Sequence, residues 1–360
     1  CELREDSRRV AWRQVAGIPV VLLSFLFAVG LLGAATDASA PLLRDAFVRY
    51  VVGDAGALGF GWLGAYVLTN GSVVAAVALS LSTADLLDPS QVFLMVAGTR
   101  LGGSAVVVGV GALDYFQKAR YTLQQSVSLG SLTFLITHSV YVPASVLGYV
   151  ALPFLRRAFA PATGAVRGGF GLSNPFAPVT TAFVDAVGPV VAVVVAVGAL
   201  FGSLTLFDRL LSGVDVETLR GLVFRHFERT WLSFAIGVAV TTATTSVAFS
   251  LGIIVPLYNR GYVKRDGLLP YVLGANVGTL FDTLVVAVVL DSPVAVVVVL
   301  TLAGAALLAT VVALLAMERY AEVVVAVDDL LLEERRVFLA FLASLAVAPF
   351  VLLLVAFAFG

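Results

Sequence analysis

Apolar residues gather in nine long runs, near 15–35, 58–82, 90–112, 126–155, 179–206, 231–258, 268–290, 293–317 and 337–359. Each approaches or exceeds the roughly 20 residues that carry a helix across a bilayer. The pattern predicts an all-α polytopic membrane protein. Between the runs the chain turns polar: a loop over 36–56, a Pro/Gly-rich connector over 156–178 and a charged segment over 207–230. A second charged stretch, 318–336, reads as a surface helix leading into the last span, its acidic residues on solvated faces. Asp85 and Asp88 read as loop residues.

The runs repeat. A shift of 176 residues lays 58–82 on 234–258 and 90–112 on 266–288, which brings Gly98 onto Gly274 and Gly102 onto Gly278. GTRLGG at 98–103 thus becomes the counterpart of GANVGT at 274–279. A hydroxyl-bearing patch precedes each at the same distance: Thr69, Asn70 and Ser72 in one half, Thr244, Thr245 and Ser246 in the other. Internal repeats of this kind mark secondary transporters. The organisation read from the chain is a cytoplasmic segment at 1–14, a first repeat at 15–155, the connector at 156–178, and a second repeat at 179–317. The charged helix and an extra C-terminal span occupy 318–360.

Basic residues test the topology. With the N-terminus inside, treating 58–82 and 231–258 as re-entrant hairpins puts more Lys and Arg on the inner side than treating all nine runs as spans. The positive-inside rule therefore prefers the hairpins. Three true spans per repeat remain, an odd number, so the two repeats are inverted and their four polar patches meet near the midplane. Arg4, Arg8, Arg9 and Arg13 precede the first run, which lacks a clear cleavage motif and reads as a retained anchor. Localisation follows as a multi-pass plasma membrane protein with a cytoplasmic N-terminus.

The chemistry concentrates in LLPYVLGANVGTLFDTLVVAVV at 268–289, where Gly274, Asn276, Gly278, Thr279 and Asp282 interrupt an apolar run. Polar groups at that depth need protein, water or an ion as partner. One reading is a broken helix whose freed backbone coordinates a small solute, with Gly98, Gly102, Gly274 and Gly278 as hinges. The other is a packing seam, because small residues let membrane helices approach closely. Arg100 has three readings: a bidentate oxyanion ligand, a replacement for a bound cation, or a bridge to Asp282. His138 is read as a core residue rather than a proton relay.

Composition narrows the class. The chain is 60% hydrophobic and 12% charged, with mean hydropathy +1.03 and net charge −1. A soluble domain carries roughly twice that charge. Near-zero net charge argues against nucleic acid as a partner. Cys1 is the single cysteine, so no internal disulfide or cysteine metal cluster can form. No H-E-x-x-H, G-x-S-x-G or Walker A motif occurs, so the expectation is a protein that is not an enzyme and holds no resident cofactor. The reading leaves an oligomer open.

With GANVGT at 274–279, its counterpart GTRLGG, TNGS at 69–72 and TTSV or ATTS within 243–247, the chain resembles the type II sodium–phosphate cotransporter family. It does so as a divergent prokaryotic member. The resemblance implies two inverted repeats, each with a QSSS-type hairpin followed by a GANIGTT-type helix, over most of the chain. It departs in its degraded QSSS motifs and in Arg100, which stands where the family has Asn. What it implies is a secondary transporter of a small inorganic oxyanion, phosphate first, coupled to Na+ or H+. The implied binding residues are Ser72, Arg100, Ser104, Thr244, Thr245, Ser246, Asn276, Thr279 and Asp282, with Na+ expected at Thr245, Ser246, Asn276 and Asp282. The rival expectation is a transport-inactive sensor or assembly protein built on the same fold.

Overall fold

The structure, a computed structural model, describes residues 2–51, 53–118, 123–169, 176–212, 229–244, 250 and 265–359. Every described element is a helix. In chain order they are α1 (Glu2–Tyr50), α2 (Gly53–Leu68), α3 (Gly71–Thr83), α4 (Pro89–Lys118), α5 (Leu123–Gly169), α6 (Ala177–Val187) and α7 (Pro189–Ser212). There follow α8 (Thr230–Thr244), α9 (Arg265–Gly278), α10 (Leu280–Val289), α11 (Pro293–Leu315), α12 (Met317–Glu333) and α13 (Arg335–Phe359).

Seven described stretches are long and apolar enough to cross a membrane: Pro19–Leu42, Pro89–Gly109, Val127–Phe159, Pro189–Phe207, Gly267–Val289, Pro293–Leu315 and Arg336–Ala358. Among the described residues, the nine apolar runs yield seven such stretches. Run 58–82 divides into α2 and α3 at Thr69 and Asn70. Thr69 takes a left-handed φ of 50°, and the Asn70 side chain caps α3 by accepting from the N–H groups of Ser72 (3.0 Å) and Val73 (3.2 Å). Of run 231–258, the part described within α8 is too short to cross, while 245–249 and 251–258 lie outside the described residues. Run 179–206 also divides: Gly188 ends α6 at φ 84° and Pro189 opens α7.

Three expectations are corrected. The loop at 36–56 is largely helix, because α1 continues to Tyr50. Two of its polar residues are buried: Thr36 meets Ser80 of α3 at 3.2 Å, and Ser39 donates to its own helix at the Ala35 carbonyl. The connector at 156–178 is helical as far as Gly169, as a continuation of α5. On α12, Asp328 is fully buried and accepts from Ser131 of α5 at 2.5 Å, so this acidic residue is not on a solvated face.

Polarity is distributed inside out. Arg100, Asn276 and Asp282 are at most 7% exposed, whereas Val194 on α7 and Leu354 on α13 are each 67% exposed. A chain surrounded by hydrocarbon has no reason to hide aliphatic side chains, but must satisfy polar ones within itself. The central apolar cluster joins α1 to α5 with α7, α9, α10 and α11; a smaller one, around Phe338 and Phe341, seats α13 on α4 and α5.

The 176-residue repeat has a geometric counterpart. A Cβ on Gly98 would fall 2.2 Å from the Leu58 carbonyl oxygen, and one on Gly274 would fall 2.1 Å from that of Phe234. Likewise Gly61 presses on the Met95 carbonyl and Gly237 on that of Tyr271. Gly102 faces Trp62 and Ala65, while Gly278 faces Val238 and Thr241. All of these pairs are related by the same shift. In both crossings the partner number rises with the glycine number, so α2 runs in the same sense as α4, and α8 in the same sense as α9.

The glycines are thus where two backbones touch. The expected break is corrected at 98–103, where α4 passes through as one helix; at 274–279 α9 does end at Gly278, though Thr279 before α10 keeps right-handed dihedrals (φ −68°, ψ −13°) with its N–H on the Ala275 carbonyl at 3.0 Å. Close approach explains glycine here without any hinge.

Candidate functional site

Helical spacing sets Asn276, Thr279 and Thr283 on one face of the α9–α10 rod, with Asp282 beside Thr283. Arg100 of α4 reaches this face. Its Nη1 donates to Thr279 Oγ1 at 3.0 Å, and its Nη2 donates to the Thr283 hydroxyl. Nη2 also stands 3.9 Å from Asp282 Oδ1. That oxygen accepts from the Thr283 N–H (2.6 Å) and from the Thr283 hydroxyl (3.0 Å). Thr283 therefore relays between the two charges, accepting from the cation and donating to the anion.

One turn earlier, Asn276 is held from α5. Thr137 Oγ1 donates to Asn276 Oδ1 at 3.0 Å, and the Tyr141 hydroxyl donates to the Asn276 carbonyl oxygen at 2.6 Å. All of these side chains are buried. Three buried polar atoms in this group have no protein partner: Arg100 Nε, Asn276 Nδ2 and Asp282 Oδ2. Native interiors rarely leave such atoms unpaired, so a cluster of them marks a place for a solute or water. Two are donors and one is an acceptor.

The remaining expected residues divide. Gly71 of the TNGS turn abuts Thr99, where a Cβ would meet the Thr99 carbonyl at 2.9 Å, which sets Ser72 beside the Arg100 turn of α4. The Ser104 hydroxyl is committed to the Leu101 carbonyl at 2.8 Å and lies 3.4 Å from His138 Nδ1. His138 stacks on Phe134 and donates from Nδ1 to the Phe134 carbonyl at 3.0 Å. Ser104 and His138 thus form a separate pair. Thr244 is buried at the C-terminal end of α8. Thr245 and Ser246, with the Na+ ligation expected of them, lie outside the described residues. Asp85, with φ 51°, and Asp88 are in the turn between α3 and α4.

Thr137, Tyr141 and Thr283 were not among the expected residues. Thr137 and Tyr141 stand four apart in TFLITHSVY, a helical spacing that puts both on one face next to the conspicuous histidine. That spacing was the available signal.

Residues 190–331 match the model of the family described as Na+/Pi-cotransporter. The match covers most of the second repeat and less than half of the chain. It supports the sodium–phosphate cotransporter family, and together with the seven apolar helices it supports a multi-pass membrane protein. No curated protein and no solved structure matches it. Within the cotransporter match lie Asn276, Thr279, Asp282 and Thr283; Arg100, Thr137 and Tyr141 come from the half before it.

Proposed function

We propose that the chain is a secondary active transporter of a small inorganic oxyanion, phosphate first, driven by Na+, with the solute bound between two inverted repeats. The observation that carries this is the cluster of unpartnered buried polar atoms on Arg100, Asn276 and Asp282, at the face where cotransporter sequence meets the other half. Two donors suit phosphate oxygens. The lone acceptor, on Asp282, suits a cation or a protonated solute.

Re-entrant hairpins and inversion belong to the same reading. Their support is the common direction of α2 and α4: if both run inward from one side, α3 between them must bring the chain back to that side. Ser80 and Thr83 on α3 return to the level of Thr36 and Asp37 on α1, at 3.2 Å and 3.4 Å. The matching α8–α9 crossing supports a second unit of the same build. Rocking of one unit against the other about the site would then alternate access.

The test is uptake of ³²P-phosphate into proteoliposomes. An inward Na+ gradient should drive accumulation, and replacing Na+ by choline should abolish it. Binding of phosphate without uptake under either condition would replace this reading by the transport-inactive one. That second reading has an observation of its own: Arg100 is fastened to Thr279, Thr283 and Asp282 at once, which could lock the halves together.

A further inference from the structure

We infer that Thr137 and Tyr141 are positioning residues that turn Asn276 into a hydrogen-bond donor toward the solute, so that this part of the site selects an oxyanion and not a cation. The inference rests on the oxyanion-transporter reading and deepens it.

A primary amide offers one oxygen acceptor and two N–H donors, and its orientation decides which it presents. Nothing in Asn276 itself makes that choice. Thr137 does, because its hydroxyl donates to Oδ1 at 3.0 Å and so turns Nδ2 away, into the region where it has no protein partner. Tyr141 fixes the backbone under the same residue. Asn276 is in the last turn of α9, where carbonyls lose their intrahelical donors, and the Tyr141 hydroxyl supplies one at 2.6 Å. Thr137 and Tyr141 are four residues apart on α5, a rigid helix, so the two restraints act as a unit.

The donor polarity of Asn276 matches that of its neighbour. Arg100 spends Nη1 and Nη2 on the two threonines and leaves Nε–H unpaired. A solute entering here meets N–H groups from both helices, which is the arrangement that receives phosphate oxygens. A Na+ ion would need the amide oxygen instead, and Thr137 holds that oxygen toward α5.

The experiment uses the purified full chain and inorganic phosphate as probe, with melting temperature recorded against phosphate concentration in Na+ and in choline salts. Thr137→Val keeps the shape but removes the donor. It should raise the half-saturating phosphate concentration about tenfold, the effect of one lost orienting hydrogen bond, and Thr137→Ser should restore it. Tyr141→Phe should shift phosphate response in the same direction, and serves if Thr137→Val fails to fold. A folded Thr137→Val protein with unchanged phosphate response, or no recovery in Thr137→Ser, overturns the inference while leaving the transporter reading standing. A wild-type protein that phosphate does not stabilise overturns the oxyanion reading, and the inference with it.

Discussion

Arg100 Nη2 and Asp282 Oδ1 stand 3.9 Å apart, and the Thr283 hydroxyl fills the interval between them. At that separation the pair is an ion pair without a direct hydrogen bond. Both charges are almost fully buried. In such surroundings each ion depends on the other, because the alternative is a lone charge held away from water.

That dependence can be measured. Arg100→Asn should lower stability by about 3 kcal/mol, since it strands the Asp282 carboxylate. Asp282→Asn should lower it by less, because the guanidinium keeps both threonine hydroxyls. The double variant should recover most of the loss from Arg100→Asn. Denaturation of the four proteins in detergent provides the comparison, and strictly additive effects would show that the two side chains do not interact.

The matched glycines invite a paired test. Gly98→Ala and Gly274→Ala would each drive a methyl group into a backbone carbonyl, at 2.2 and 2.1 Å. Each should destabilise by about 2 kcal/mol or more, as overpacking does. Gly304 has open space around it, and Gly304→Ala should stabilise by about 0.5–1 kcal/mol through helix propensity alone. Similar melting of all three variants would mean that the two crossings are looser than drawn.

Those glycines also show how much could be read beforehand. Their 176-residue offset was visible in the chain, and it survives as a repeated helix crossing. Their role was not settled by spacing, because a hinge and a close approach both ask for glycine. The pairing of Arg100 with Asp282 was one of three readings for the same reason: position in a sequence does not say what stands opposite. Polar residues usually mark a loop, but here Thr36 meets Ser80 of α3 and Ser39 is buried on its own helix. Thr137 and Tyr141 gave no signal beyond their spacing, and their chemistry appears only once α5 is laid against Asn276.

Asp328 is a case where charge misled. It is fully buried on α12 and accepts from Ser131 at 2.5 Å. Asp328→Ala should therefore destabilise by about 2 kcal/mol, in the range for a buried, charge-assisted hydrogen bond. Asp328→Asn, which keeps an acceptor for Ser131, should lose less, and the exposed Glu322→Ala should be near neutral. Equal stability of the Asp328→Ala and Glu322→Ala proteins would return α12 to the role of a solvated helix.

Topology has a direct check. In a Cys1→Ser background, single cysteines at Asp85 and at Arg44 should react with an impermeant thiol reagent from the same side of the membrane. Asp85 is exposed in its turn, so access is not the limiting factor. Labelling from opposite sides would mean that α2 and α3 together cross the membrane.

The remaining question is what Arg100 does for coupling. Two of its five N–H groups are committed to Thr279 and Thr283, and its charge lies beside Asp282. The proposed Na+-driven transport predicts that this charge does the work of a bound cation, built in beside Asp282. In Arg100→Asn the Asp282 carboxylate loses that cation and gains reason to take one from solution. Na+ should then raise the melting temperature of Arg100→Asn more than that of the wild type, with choline as control, and phosphate uptake should become more steeply Na+-dependent. Arg100→Lys should leave the Na+ response close to wild type, because the positive charge remains, even though an ammonium cannot serve both threonines in the same geometry. An Arg100→Asn protein that responds to Na+ as the wild type does would remove the built-in cation from the account and leave Arg100 as a structural tie alone.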